Sequence, residues 1–225
     1  MKQLKSTLTD DWQEVQWVLT DVDDTLTWHG QLPPEALIAM TALQQAGLKV
    51  VAVTGACAGW CDHIAQLWPV DAVIGENGAF IMEKKDGYLT LSSDAAMPTI
   101  VKNQAKLTLD QSYRLCEVAI DIGQNRSPVT PAIIAEVVSK LNKLGANATA
   151  SSIHINSWYG DHSKKATSLK FLKEKGLSDS EIVSQACYVG DSLNDQFMFA
   201  TLPKSVGVAN IKNYWDKLQH HPEFV

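Results

Sequence analysis

The chain is 225 residues long, 45% hydrophobic and 20% charged, with a formal net charge of −6 at pH 7. These are the proportions of a packed globular protein, and they exclude a disordered tract, a fibrous repeat or a disulfide scaffold. Lysines and arginines are scattered, so the basic footprint of a nucleic-acid binder is missing, and no apolar run approaches the ~20 residues that cross a bilayer.

The opening MKQLKSTLTDDWQEVQ offers no apolar run for a secretory signal, so the expected location is the cytoplasm, as a monomer or homodimer without membrane contact. The next segment, Trp17 to Thr20, empties into the acidic DVDDTL, as a buried strand does at its carboxyl end. Pro33 and Pro34 open a helical pattern through Ala36, Leu37, Met40 and Leu43 that Gly47 closes, and LKVVAVTG is a second buried strand. A helix over about residues 60–67 stops at Pro69, and DAVIGENGAF supplies a third apolar run. Strand, helix, strand, helix, strand is the signature of a parallel sheet.

The character then changes. EKKDGYLTLS reads as a hairpin about Asp86-Gly87, and RLCEVAIDIG as an isolated strand. A helix with Thr130 as N-cap and Pro131 first runs to Gly145, and the strand ASSIHINSW follows. This α+β stretch, placed at residues 89–160, interrupts an α/β core made of residues 1–88 and 161–225. The α/β pattern resumes with a helix over about residues 165–175, the strand ending in GDSLND, and a last short strand in SVGVAN. The predicted fold is a doubly wound, mostly parallel, Rossmann-like sheet with an inserted α+β cap. Cys57, Cys61, Cys116 and Cys187 lack the paired spacing of a zinc site and read as small buried hydrophobes.

In an open parallel sheet, ligands bind beyond the carboxyl ends of the strands, where residues distant in sequence converge. Three such ends carry chemical groups: Asp21, Asp23 and Asp24; Thr54 and Gly55; Asp191, Asn194 and Asp195. Crowded carboxylates repel unless a cation neutralises them, and a few hard oxygen ligands suit Mg²⁺. A magnesium site of this kind points to phosphoryl transfer, for which a carboxylate can be the covalent nucleophile.

DVDDTL, VTG, a lysine ahead of a helix, and GDSLND, in that order, resemble the haloacid dehalogenase superfamily, and IGENGA after the third strand is similar to its members with a large α+β cap. The motifs cover the α/β part over residues 17–195, while the cap matches only in placement and character. The resemblance implies that Asp21 attacks phosphorus, that Asp23 is the acid/base partner, and that Thr54, Gly55 and a lysine hold the phosphate. It also implies Asp21, Asp23 and Asp191 as metal ligands, with Asn194 and Asp195 as outer or direct ligands. The motif SKKATSL leaves Lys164 and Lys165 both possible; Lys165 is preferred because Leu169 then falls on the family's apolar helix position. Asp24 departs from the pattern, since many capped members have glycine there.

Outside the motifs, His154, Asn156 and Trp158 alternate along one strand, so they share a face that either looks into the cleft or forms a half-polar sheet surface. Trp158 is the tryptophan suited to stacking on a sugar or ring. Arg126 is either a clamp for a remote anion or a solvated loop residue, and Asn77 either a turn residue or a substrate contact near the hinge. Together these readings predict a magnesium-dependent phosphatase of a small phosphorylated metabolite, with the sugar-phosphate and Cof-type phosphatases as the nearest capped relatives. A phosphomutase is the enzymatic rival, and a regulatory phospho-acceptor module the rival of another class.

Overall fold

The structure, a computed structural model, describes residues 10–85, 88–92, 107–151 and 153–225. Its first strand, β1 (Trp17–Thr20), leads through the acidic turn to α1 (Pro34–Gln45), β2 (Lys49–Val53), α2 (Ala58–Leu67), β3 (Ala72–Gly75), β4 (Phe80–Lys85) and β5 (Tyr88–Ser92). Then come β6 (Val118–Asp121), α3 (Pro131–Lys143), β7 (Asn147–Ala150) and β8 (His154–Trp158). The chain finishes with α4 (Lys164–Glu174), α5 (Asp179–Gln185), β9 (Ala186–Gly190), α6 (Gln196–Phe199) and β10 (Ser205–Gly207).

Seven strands form one sheet in the order β10-β9-β1-β2-β3-β4-β5, and three form another in the order β6-β8-β7. From β10 to β3 every pairing is parallel, and β4 and β5 add an antiparallel hairpin at one edge. Central β2 explains the layering. Val51 and Val53 face a cluster with Leu19, Ile74, Phe171, Leu172 and Tyr188, while Val50 and Ala52 face another with Met40, Cys61, Ile64 and Phe80. Helices therefore cover both sheet faces, and the strands are apolar on both sides, as a doubly wound α/β fold requires.

The second sheet is antiparallel throughout and carries α3 against β7. Here the sequence expectations need correcting. RLCEVAIDIG is not isolated, because β6 pairs with β8. Of the run expected as one strand, Ala150 closes β7 and His154 to Trp158 form β8, so two antiparallel partners stand where one strand was expected. Thr130 holds the N-cap position of α3 but makes no side-chain cap bond. The core sheet continues to Ser92, so a boundary at residue 89 cuts through β5; the turn at Asp86-Gly87 lies outside the described residues. All four cysteines are buried and outside any disulfide, as expected of small hydrophobes. Among the described residues, no helix is long and apolar enough to cross a membrane.

Candidate active site

Parallel register brings the acidic groups together. Thr20 pairs with Val189 on β9 and with Ala52 on β2, so the residues that follow, Asp21, Asp191 and Thr54, leave the sheet at one edge. The Asp21 amide donates to the Val189 carbonyl (2.9 Å), extending the ladder one step beyond the strand and fixing where the carboxyl starts. Asp24 stands in the left-handed region at φ 59°, a conformation that suits glycine and that an aspartate tolerates.

Lys164 is the cation of this centre. Its Nζ donates to Asp21 Oδ1 (2.5 Å) and to Asp195 Oδ1 (2.9 Å), with all three side chains buried. Burial opposes the Lys164 charge, but Asp195 and Asp21 outweigh it and hold the ammonium above its ordinary range. Lys165, preferred in the sequence reading, is exposed on the outer side of α4. The reason is the cap: the Ser163 hydroxyl accepts from the Ala166 amide and starts the helix so that Lys164 shares the inward face with Ser168, Phe171 and Leu172.

Asp195 is fully engaged. It accepts from Lys164, from the Tyr188 hydroxyl (2.5 Å), and from the amides of Asp191 (3.0 Å) and Ser192 (3.2 Å). Asp191 accepts from Thr25 Oγ1 (3.3 Å) and from Asn210 Nδ2 (2.8 Å), and burial, reinforced by Asp195, pushes its carboxyl up to about 7. Burial likewise lifts Asp21 well above the carboxylate range; Lys164 opposes the rise, and Asp195, Asp23 and Asp191 add to it. Asp23 opens onto the cleft, whose walls still desolvate its carboxyl and raise it, while Thr54 Oγ1 lies at 3.5 Å as a donor. Thr54 also accepts from the Ala56 amide (3.0 Å).

Carboxylate oxygens of Asp21, Asp191 and Asp195 all lie within 4.8 Å of one another. Hard oxygen donors crowded together, two of them (Asp21 and Asp191) raised in proton affinity, fit a divalent cation such as Mg²⁺. Asp21 and Asp191 are the ligands best placed to hold it, since Asp195 already has four donors. Asn194 lines the cleft, with its side-chain oxygen accepting from the Ser192 hydroxyl (2.7 Å).

A cleft of about 890 Å³ extends from this centre to the second sheet. Gly55, Asn77, His154 and Asn156 line it, and the first two are packed together: a Cβ on Gly55 would meet the Asn77 side chain at 3.1 Å and Asn156 at 3.2 Å. His154 Nε2 lies 2.7 Å from Gln124 Oε1, and burial lowers its pKa, so the ring is neutral. Trp158 is buried beside the His162 ring (centroids 5.5 Å apart), off the cleft lining, and Arg126 is exposed away from it. The strand does put His154, Asn156 and Trp158 on one face, but the cleft reaches only its first residues.

Sequence reasoning passed over a buried polar cluster at the cleft wall. Arg114 donates to the Gly55 carbonyl (3.0 Å), Glu117 (3.3 Å) and Asp110 (3.0 Å). Asn77 Nδ2 donates to Glu117 Oε1 (2.8 Å), and burial pushes the Glu117 carboxyl up to about 8. Charged residues inside apolar runs, Glu76 in IGENGAF and Glu117 in CEVAI, were the available signal.

Residues 18–121 match the family described as haloacid dehalogenase-like hydrolase. No curated protein is matched at the sequence level. Among solved structures, the chain is similar to Thermoplasma acidophilum protein 0175, with a TM-score of 0.71 at 18% identity over 88% of each chain. It is similar also to the sucrose-phosphatase of Synechocystis sp. PCC6803, solved with sucrose and phosphate, at TM-score 0.69, 14% identity, 93% of this chain and 91% of that one. A third likeness is to the subclass IIB sugar phosphatase BT4131, at TM-score 0.65 and 12% identity over 92% of each chain.

Proposed function

We propose that this chain, a haloacid dehalogenase-like hydrolase by its family match and its fold, is a magnesium-dependent phosphomonoester hydrolase working through a phospho-Asp21 intermediate. The observation that carries the reading is the buried network in which one lysine joins Asp21 to Asp195 while Asp191 stands unneutralised beside them. An arrangement that leaves a surplus of carboxylates around one cation suits a metal and a phosphate better than it suits packing.

Asp21 forms a bond from a carboxylate oxygen to phosphorus as the ester P–O bond breaks, and Asp23 gives its proton to the leaving oxygen. Water then attacks the same phosphorus, Asp23 takes the proton back, and the bond to Asp21 breaks to release phosphate. The raised proton affinity of Asp23 suits that double role. Thr54, the Gly55 amide and Lys164 hold the transferred group, which is catalysis by positioning and charge stabilisation. Mg²⁺, held by Asp21 and Asp191 with the Asp23 backbone carbonyl, would offset the negative charge of phosphate and carboxylate as they approach.

The segment around β6 to β8 acts as a cap that shapes the leaving-group end of the cleft. Its contribution to the cleft lining includes the polar, uncharged side chains of Asn156, Gln124 and Thr149 beside His154, which supports a hydroxyl-rich leaving group such as a sugar. The two sugar phosphatases among the structural neighbours support the same class. A screen of phosphorylated metabolites with Mg²⁺, run beside Asp21→Asn, tests the proposal. Turnover that requires Mg²⁺ and is lost in the variant is expected, and undiminished activity of the variant refutes it.

A further inference from the structure

We infer that Glu76 is a positioning residue, whose buried carboxylate gathers backbone amides from α2 and from the segment ahead of β6 and so fixes the phosphate-holding turn. Glu76 is fully buried. Its Oε1 accepts from the amides of Ala58 (3.1 Å) and Leu115 (2.8 Å), and its Oε2 from those of Cys116 (2.6 Å) and Glu117 (2.9 Å). Four amides satisfy a charge that would otherwise be costly to bury. Nearby Arg114 directs its donors elsewhere, to Gly55, Glu117 and Asp110.

The backbone bears the mark of a fixed device. Glu76 at φ 42° and Asn77 at φ 54° are both left-handed, a conformation L side chains rarely adopt and one that concentrates at functional sites. This turn is tied to the phosphate-holding residues by its main chain, the Glu76 amide donating to Ala56 (3.2 Å) and the Asn77 amide to Thr54 (3.0 Å). Its far side abuts the start of α4: a Cβ on Gly78 would lie 2.3 Å from the Ser163 carbonyl oxygen, and Thr167 Oγ1 donates to the Gly78 carbonyl (2.6 Å). One strained turn therefore touches the Thr54-Gly55 loop, the Arg114–Glu117 wall and the helix that carries Lys164. Glu76 is the side chain that locks it, because its carboxylate accepts from both chain segments at once. The catalytic consequence rests on the phosphatase reading; the clasp does not.

Glu76→Gln keeps the shape but turns one acceptor into a donor facing two amides. Two measurements separate the clasp from its consequence. In hydrogen exchange, the amides of Ala58 and residues 115–117 are expected to lose protection, and unchanged protection overturns the inference whether or not the protein is a phosphatase. With a generic phosphomonoester, inhibition by inorganic phosphate is expected to weaken and kcat/KM to fall roughly 10- to 100-fold, as for a misplaced binding turn, while half-saturation by Mg²⁺ stays put. A loss of thermal stability with phosphate inhibition unchanged would make Glu76 merely structural and overturn the positioning role. Should Glu76→Gln not fold, the shorter carboxylate of Glu76→Asp is expected to show the same pattern at smaller size, and wild-type values for it would refute the role equally.

Discussion

The two sheets contribute to one cleft in different ways. At the edge of the parallel sheet, functional groups leave the ends of adjacent strands, so their convergence follows from register: Asp21, Thr54 and Asp191 stand together because Thr20 is level with both Ala52 and Val189. The antiparallel sheet has no such edge. It offers alternate side chains along β8, and of the three on the cleft-facing side only His154 and Asn156 reach the cavity. The first kind of site is set by topology and resists change; the second is set by how far one strand extends, and that is the part a family can vary to change its substrate.

Mutating the two sides should therefore fail differently. The largest effect is expected at the parallel edge, where Lys164→Ala leaves Asp21 and Asp195 unpaired. Kinetics should register a fall in kcat of roughly 100- to 1000-fold, as for loss of a preorganised charge. Denaturation should register a loss of about 3–5 kcal/mol, as for a broken buried pair. Lys165→Ala, one residue on and exposed, is expected to stay within about twofold of wild type, and equal effects of the two substitutions would sink the assignment. At the antiparallel sheet, Asn156→Ala is expected to raise KM about 5- to 10-fold with little change in kcat, the size of one lost hydrogen bond. Arg126→Ala should change neither, and a drop in kcat for Asn156→Ala would remove the distinction between the two sheets.

A pH-dependent effect lies where they meet. Burial raises Glu117 from 4.5 to about 8, although Asn77 and Arg114 bond it and oppose the rise, as Lys164 does, while Glu76 adds to it. Between those values the folded state keeps a proton that the unfolded chain releases. The stability this proton contributes is complete below pH 4.5 and is lost as pH climbs to about 8. Glu117→Gln should flatten the stability profile in that window, by at most about 1.4 kcal/mol per pH unit. Parallel profiles for the two proteins would show that Glu117 does not titrate there.

What the sequence disclosed follows the same division. The aspartates were legible because an apolar strand emptying into acids is a local pattern, and three such ends in one parallel sheet must meet. The choice between Lys164 and Lys165 was not, because the residue one turn beyond Lys164 is Ser168: buried, but polar, it gave the inward face no apolar signal, whereas Leu169 advertised the wrong one. β7 was missed because Asn147–Ala150 is short and small-residued, and its pairing with β8 does the work that side-chain pattern normally announces. Arg114, Glu117 and Glu76 were passed over for another reason: a charge inside an apolar run marks a residue but not its partner. The bonds that tie Arg114 to Gly55, Glu117 to Asn77 and Glu76 to residues 115–117 span 39 to 59 residues, and no spacing rule links such partners.

Phosphate capture on Asp21 is the most direct test of the central claim. The wild-type protein would be mixed with Mg²⁺ and a turned-over phosphomonoester, quenched in acid, and its peptides searched by mass spectrometry. A phosphate on the peptide carrying Asp21, absent from Asp21→Asn, is the result the mechanism predicts. Sustained turnover with that peptide unmodified in rapidly quenched samples, and with Asp21→Asn as active as wild type, would contradict it.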